Sequence, residues 1–262
     1  MPTSELYATI AEMNTNKDWE RWGGENPYYG VYSDEKFLGK ELDEVSKTEF
    51  YASGKADIEY LYQKIERLYG VKKRFRHAVD YGSGVGRLSF ALTAIAEKVT
   101  GLDISSTMIE KARKHKKVHN IRNVKFVLTN EHVRGLPKRY DLVFSYITLQ
   151  HIPPKYGMKI IQTLASGLEP DGCFALQVTF GLKRSWQRKL LLAMRENIAP
   201  VRWIANAIKG RPITMPNMRM FSYPMNTLFV TLQESGITDV NIEFTDHGGF
   251  LGVYITGRKQ SK

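Results

Sequence analysis

The sequence predicts an α/β protein built on a seven-stranded, mostly parallel sheet with an antiparallel last strand. Three observations predict it. Short apolar runs at 78–79, 99–104, 124–128, 141–146 and 174–179 alternate with stretches of helical period at 87–97, 106–118 and 155–168. That is the strand–helix–strand order of right-handed crossovers. Two further runs, 240–244 and 252–256, are separated by 245–251, a connection too short for a crossover helix, so they should pair antiparallel. The first run also passes directly into a glycine-rich loop that opens a helix.

Taken in order, residues 1–54 are aromatic and acidic without a long period, and read as an irregular helical cap. Ile58, Leu61, Tyr62, Ile65 and Leu68 then mark one buried helix face over 57–69, ending at Gly70. The expected organisation is an N-terminal helical cap at 1–70 and a main domain at 71–262 that carries a helical lid insertion at 181–220. Hydrophobic residues at 42% and charged residues at 25% exclude disordered, collagen-like and coiled-coil readings. Charge is uneven: the first 70 residues hold eight basic and 14 acidic side chains, the remainder 30 and 13. A basic body favours anionic partners. Cys173 is the single cysteine, so neither an internal disulfide nor a Cys-rich zinc site can form. The first residues lack a signal-peptide pattern and no apolar run approaches the ~20 residues of a membrane span, so a cytoplasmic protein is expected.

The strongest local feature is Ala78-Val79-Asp80-Tyr81-Gly82-Ser83-Gly84-Val85-Gly86-Arg87-Leu88. Its glycines lie where the backbone turns from strand to helix, letting a ligand approach without Cβ interference, and the helix N-terminus offers free N–H groups. The spacing is G-x-G-x-G; a dinucleotide fingerprint needs its third glycine where Arg87 stands. About 20 residues on, Asp103 ends the second strand, where a carboxylate can accept from both hydroxyls of a ribose.

On these residues the chain resembles the class I S-adenosylmethionine-dependent methyltransferases, which have a Rossmann-like fold. Two further segments carry the resemblance, Arg139 to Pro153 around strand four and Leu168-Glu169-Pro170-Asp171-Gly172-Cys173 at the turn into strand five. It implies S-adenosylmethionine as cofactor and S-adenosylhomocysteine as product. It implies too that Asp80, Tyr81 and the loop Gly82, Ser83, Gly84 and Gly86 hold the methionine part and ribose. Asp103 would hold the ribose, Ile104 would lie beside the adenine, and Asn130 or Glu131 would meet the adenine amino group. Ser145 and Gln150, in the strand-four segment, complete the expected cofactor set. A looser likeness to bacterial polysaccharide and natural-product methyltransferases rests on Asn26 to Val31, Glu49 to Gly54 and Met220 to Tyr223.

Ligands of an open parallel sheet bind beyond the carboxyl ends of its strands, which brings the loop after strand four beside the glycine loop. His151 in that loop is the candidate general base for a hydroxyl acceptor; a capping or packing histidine is the alternative. Tyr28 and Tyr29 are candidate aromatic faces for a sulfonium. His115 and His119 sit among Lys111, Arg113, Lys114, Lys116 and Lys117, a setting that repels a metal, so no metal is expected and this helix reads as a solvated face. Residues 183–211 carry eight basic side chains against Glu196 alone, interleaved with apolar ones. The preferred reading is a lid whose apolar face packs on the domain. The other is peripheral contact with an anionic membrane. The expected activity is methyl transfer to a small-molecule or glycan hydroxyl, with an anionic or lipid-linked acceptor favoured. An RNA methyltransferase and a non-catalytic cofactor-binding protein stay open. Against RNA stand the lack of a separate RNA-binding module and Ser145-Tyr146-Ile147-Thr148 in place of an Asn-Pro-Pro-type tetrad.

Overall fold

The computed structural model describes residues 15–39, 41–71 and 74–261. The first 14 residues of the expected cap lie outside the described residues. Seven strands form one sheet: β1 (Phe75–Tyr81), β2 (Ala96–Asp103), β3 (Val124–Leu128), β4 (Tyr140–Ser145), β5 (Leu168–Leu182), β6 (Ile237–His247) and β7 (Phe250–Lys259). Their order is β3-β2-β1-β4-β5-β7-β6, and β7 runs antiparallel to both its neighbours. The pairs among β1 to β5 are parallel, as the crossover spacing predicts.

Strand residues are apolar on both sides because helices cover both faces. On β5, Phe174, Leu176 and Val178 point into a core with α6 (Pro154–Ser166) and α9 (Met225–Glu234). Cys173 and Ala175 point into a second core. Its helices are α3 (Glu44–Tyr69), α4 (Arg87–Leu92) and α5 (Ser106–Val118). A third cluster joins the N-terminal segment to the body. Trp22 from the helix over 15–25 (α1) and Tyr28 and Tyr29 from α2 (Pro27–Val31) pack with Phe50, with Val85 of the glycine loop and with Met108 of α5.

Some boundaries differ from the periodic reading. The helix expected at 57–69 starts at Glu44, where the Asp43 carboxylate accepts from Ser46 N at 2.7 Å, and stops at Gly70 with φ +66°. The helix expected at 87–97 ends at Leu92, since Arg74 and Asn123 both donate to the carbonyls of Thr93 and Ala96 and turn the chain into β2. The insertion forms α7 (Trp186–Asn197) and α8 (Ala199–Ile208). Its apolar face does not pack on the domain as expected: Trp186, Leu191, Ile204 and Ile208 are exposed, while Asn206 is buried. His115 is not part of a solvated face either. Its ring stacks on Tyr51 with centroids 3.9 Å apart, and burial pushes its pKa down to about 4.

After α8 the chain returns across the carboxyl end of the sheet. Phe221 N donates to Gln150 O and Tyr223 N to Thr179 O, both at 2.7 Å. The Tyr223 hydroxyl donates toward the carbonyls of Leu149 and Ile152, at 2.8 and 3.0 Å. This segment fixes the loop after β4.

Candidate active site

The glycine loop is tied to the end of β2, with Gly82 N and Ser83 N both donating to Leu102 O, at 2.8 and 3.0 Å. Gly82 and Gly84 have φ of +82° and +52°, a region that disfavours side chains. A Cβ on Gly82 would also lie 2.1 Å from the Thr148 side chain, so the loop after β4 closes directly on the loop after β1.

Asp103 leaves β2 beside this loop. One carboxylate oxygen accepts from Gly84 N at 2.8 Å and the other from Ser105 N at 2.9 Å. Burial raises its pKa and these backbone donors oppose the rise. Each oxygen keeps a further lone pair for a ligand hydroxyl. Asp103 lies on a cleft of about 1070 Å³ shared with Tyr81, Gly82, Ser83, Gly84, Ile104 and Glu131. The Ser83 hydroxyl is buried and has no hydrogen-bond partner, an orphan donor at the base of the loop. Trp19, Tyr146, Ile152, Pro153 and Tyr156 give the same cleft an aromatic and apolar lining.

Other expected site residues sit off this wall. Asp80 is buried beneath the loop and accepts from the Ser89 hydroxyl at 2.6 Å, and burial raises its pKa to about 6. Gly86 caps α4 with φ +93°. The Asn130 side-chain oxygen is used by its own turn, accepting from His132 N and Arg134 N, each at 3.1 Å, so Glu131 faces the cleft instead. Ser145 is fully buried and donates to Tyr81 O at 2.9 Å, a strut between β4 and β1. Tyr28 packs edge-on against Phe50, and Tyr29 accepts from Arg211 at 2.9 Å. The N-terminal segment instead reaches the cleft through Thr15, Asn16, Trp19, Gly30 and Val31, which the sequence reading did not single out.

His151 lies behind the wall. It is 6% exposed, Nδ1 donates to Arg219 O at 2.6 Å, and Gln150 Nε2 lies 3.3 Å from the other ring nitrogen. Trp19, which does line the cleft, meets the imidazole edge-on at 5.1 Å. Burial pushes the His151 pKa down to about 4, so the ring is neutral and a weak proton acceptor. Gln150 is also buried off the wall, with its side-chain oxygen unpartnered.

Strand order, glycine loop and terminal carboxylate describe a Rossmann-like site for a nucleoside-bearing ligand, and residues 78–172 match the family model of the methyltransferase domain. The chain carries a class I S-adenosylmethionine-dependent methyltransferase domain, and S-adenosylmethionine is the cofactor of that class. By sequence it is similar to the ubiquinone biosynthesis O-methyltransferase of Proteus mirabilis, with 28% identity over 130 residues, 49% of this chain and 50% of that protein. The chain thus spans about half the length of the relatives it matches. By fold it is similar to magnesium protoporphyrin IX methyltransferase from Synechocystis PCC 6803 with bound S-adenosylhomocysteine, with a TM-score of 0.60 and 17% identity, covering 94% of this chain and 100% of that one. The N-methyltransferase NodS from Bradyrhizobium japonicum aligns at a TM-score of 0.57 and 12% identity, over 95% and 100% of the two chains. These likenesses are to the fold.

The residues present suit this cofactor: a loop whose Gly82, Gly84 and Gly86 carry no Cβ, the orphan Ser83 hydroxyl and a carboxylate with spare lone pairs. Asp103→Asn should weaken S-adenosylhomocysteine binding by roughly tenfold to a hundredfold, the size of a hydrogen bond to a charged group, with the fold intact by circular dichroism. Calorimetric titration checks it, and unchanged affinity would remove Asp103 from the site. His151 yields a second prediction. A folded-state pKa of about 4, against 6.5 unfolded, gives stability that is complete above pH 6.5 and lost as pH falls toward 4. Across that window the wild type should lose about 3 kcal/mol relative to His151→Gln, read from urea titrations at each pH.

Proposed function

We propose that the protein transfers a methyl group from S-adenosylmethionine to a hydroxyl of a small-molecule or glycan acceptor. The carrying observation is that Asp103 and the glycine loop line the same cleft as the aromatic residues Trp19, Tyr146 and Tyr156. Bound against the glycine loop and Asp103, the cofactor would supply an electrophilic methyl on a sulfonium. Tyr81 to Gly84, Asp103, Ile104 and Glu131 would hold it there. The aromatic wall suits an acceptor with a flat or apolar face, aligning its oxygen and excluding water, which is most of what an in-line transfer asks of a protein. The oxygen acceptor is supported by the Proteus relative, which is an O-methyltransferase. The cations of 183–211 favour an anionic or lipid-linked acceptor.

In this reading His151 is a positioning residue. Its neutral ring supports Trp19 from behind and ties the loop after β4 to Arg219. The test is release of S-adenosylhomocysteine by the full chain from a panel of phenolic, alcoholic and sugar hydroxyl compounds. Cofactor binding without turnover on any of them would sink the hydroxyl assignment. With an acceptor in hand, His151→Ala should keep cofactor affinity within about twofold and lower kcat by about tenfold or less, with the pH profile of kcat/KM unchanged in shape. A loss of roughly 10²–10⁴ together with loss of the acidic limb would instead make His151 the base.

A further inference from the structure

The hairpin α7–α8 is folded with its polar side inward. Arg195 donates to the Asn206 side chain at 3.4 Å, and Asn206 in turn donates to Ile213 O at 3.2 Å. Arg219 and Asn217 both donate to Glu196 O, at 3.0 and 3.4 Å. The opposite side carries Trp186, Leu190 and Leu191 from α7 and Trp203, Ile204 and Ile208 from α8, each between 46% and 81% exposed. A helix facing water places these types the other way round. Exposed Lys183, Arg184, Arg188 and Lys209 stand at the ends of the hairpin, and the only acid between residues 183 and 211, Glu196, is partly buried.

We propose that this face docks on the surface of an anionic lipid bilayer. Aliphatic side chains flanked by tryptophan and ringed by Lys and Arg are what the boundary between acyl chains and anionic headgroups accepts. Charge complementarity selects this occupant. A second copy of the chain would bring two cationic rims together, and a nucleic acid offers nothing to Leu191, Ile204 or Ile208. The contact lies on the membrane and does not cross it, since among the described residues no helix is long and apolar enough to span. It also leads toward the cleft. Residues after α8 hold α1, with Arg21 donating to Thr214 O at 2.5 Å and Trp22 to Asn217 O at 3.2 Å, and Trp19 of α1 lines the cleft. The inference stands apart from the identity of the acceptor and from the methyl-transfer reading.

Flotation of the full chain tests it, using vesicles of phosphatidylcholine alone and vesicles with an equal part of phosphatidylglycerol. The protein should float only with the anionic vesicles, and salt should release it. Two of the four tryptophans, Trp186 and Trp203, lie on this face, so emission should shift to the blue on binding, and Trp186→Phe with Trp203→Phe should abolish the shift. Lys183→Gln and Arg188→Gln should each weaken binding about fivefold. Ile204→Ser with Ile208→Ser, both solvent-facing, should weaken it by about tenfold or more, with S-adenosylhomocysteine affinity unchanged. Flotation with neither vesicle, or equally with both, overturns the proposal. So does self-association in gel filtration that the serine variants abolish without any flotation of the wild type.

Discussion

The cleft depends on the adjacency of β1 and β4. These strands are neighbours, yet the chain leaves β1 toward β2 and leaves β4 toward β5, so the two following loops part above the sheet. Van der Waals contact between Gly82 and Thr148 then sets how far they part. A side chain at Gly82 would push the loops apart at the point where the Ser145 hydroxyl already ties β4 to β1. The separation of the two loops follows from this one approach of backbone to side chain.

Two carboxylates sit at the carboxyl ends of adjacent strands, and their environments divide the work. Asp103 has backbone N–H donors on both oxygens and faces the cleft. Asp80 has a serine hydroxyl, and burial, with the negative charge of Asp103 adding to it, pushes its pKa up to about 6. A ligand hydroxyl is therefore offered a carboxylate already oriented by the main chain, while Asp80 holds α4 to the sheet through Ser89. His151 belongs with these buried groups. It sits in a wall built by Trp19 from the N-terminal segment and Arg219 from the returning chain.

The sheet was legible because strands covered on both faces are apolar throughout, and the crossover spacing then leaves few orders for them. Asp103 was legible by distance from the glycine loop. The long α3 was only half legible, since the buried face of its first half includes Gly54, pressed on the Arg87 backbone where a Cβ would meet the oxygen at 2.4 Å. Glycine does not register as apolar, so the period fades before residue 57. The choice between Asn130 and Glu131 rests on a turn in which Val133 takes φ +53°, and nothing in the residue types announces that. The surroundings of His151 come from Arg219, 68 residues away, and spacing along the chain carries no information about such a contact.

The returning chain explains why the insertion is inside out. Glu196 O accepts from the side chains of Arg219 and Asn217, and Asn206 donates to the carbonyl of Ile213, so the inner sides of α7 and α8 are committed to polar groups of 213–219. Rotating the hairpin to bury Ile204 and Leu191 would strip these partners and leave Asn206, now 1% exposed, without its backbone acceptor. The same stretch supplies the carbonyl that holds the His151 ring and the one that receives Trp22. Polar groups that order the cleft thus compel the apolar side of the hairpin to face outward, and the exposed face is a consequence of how the site is built.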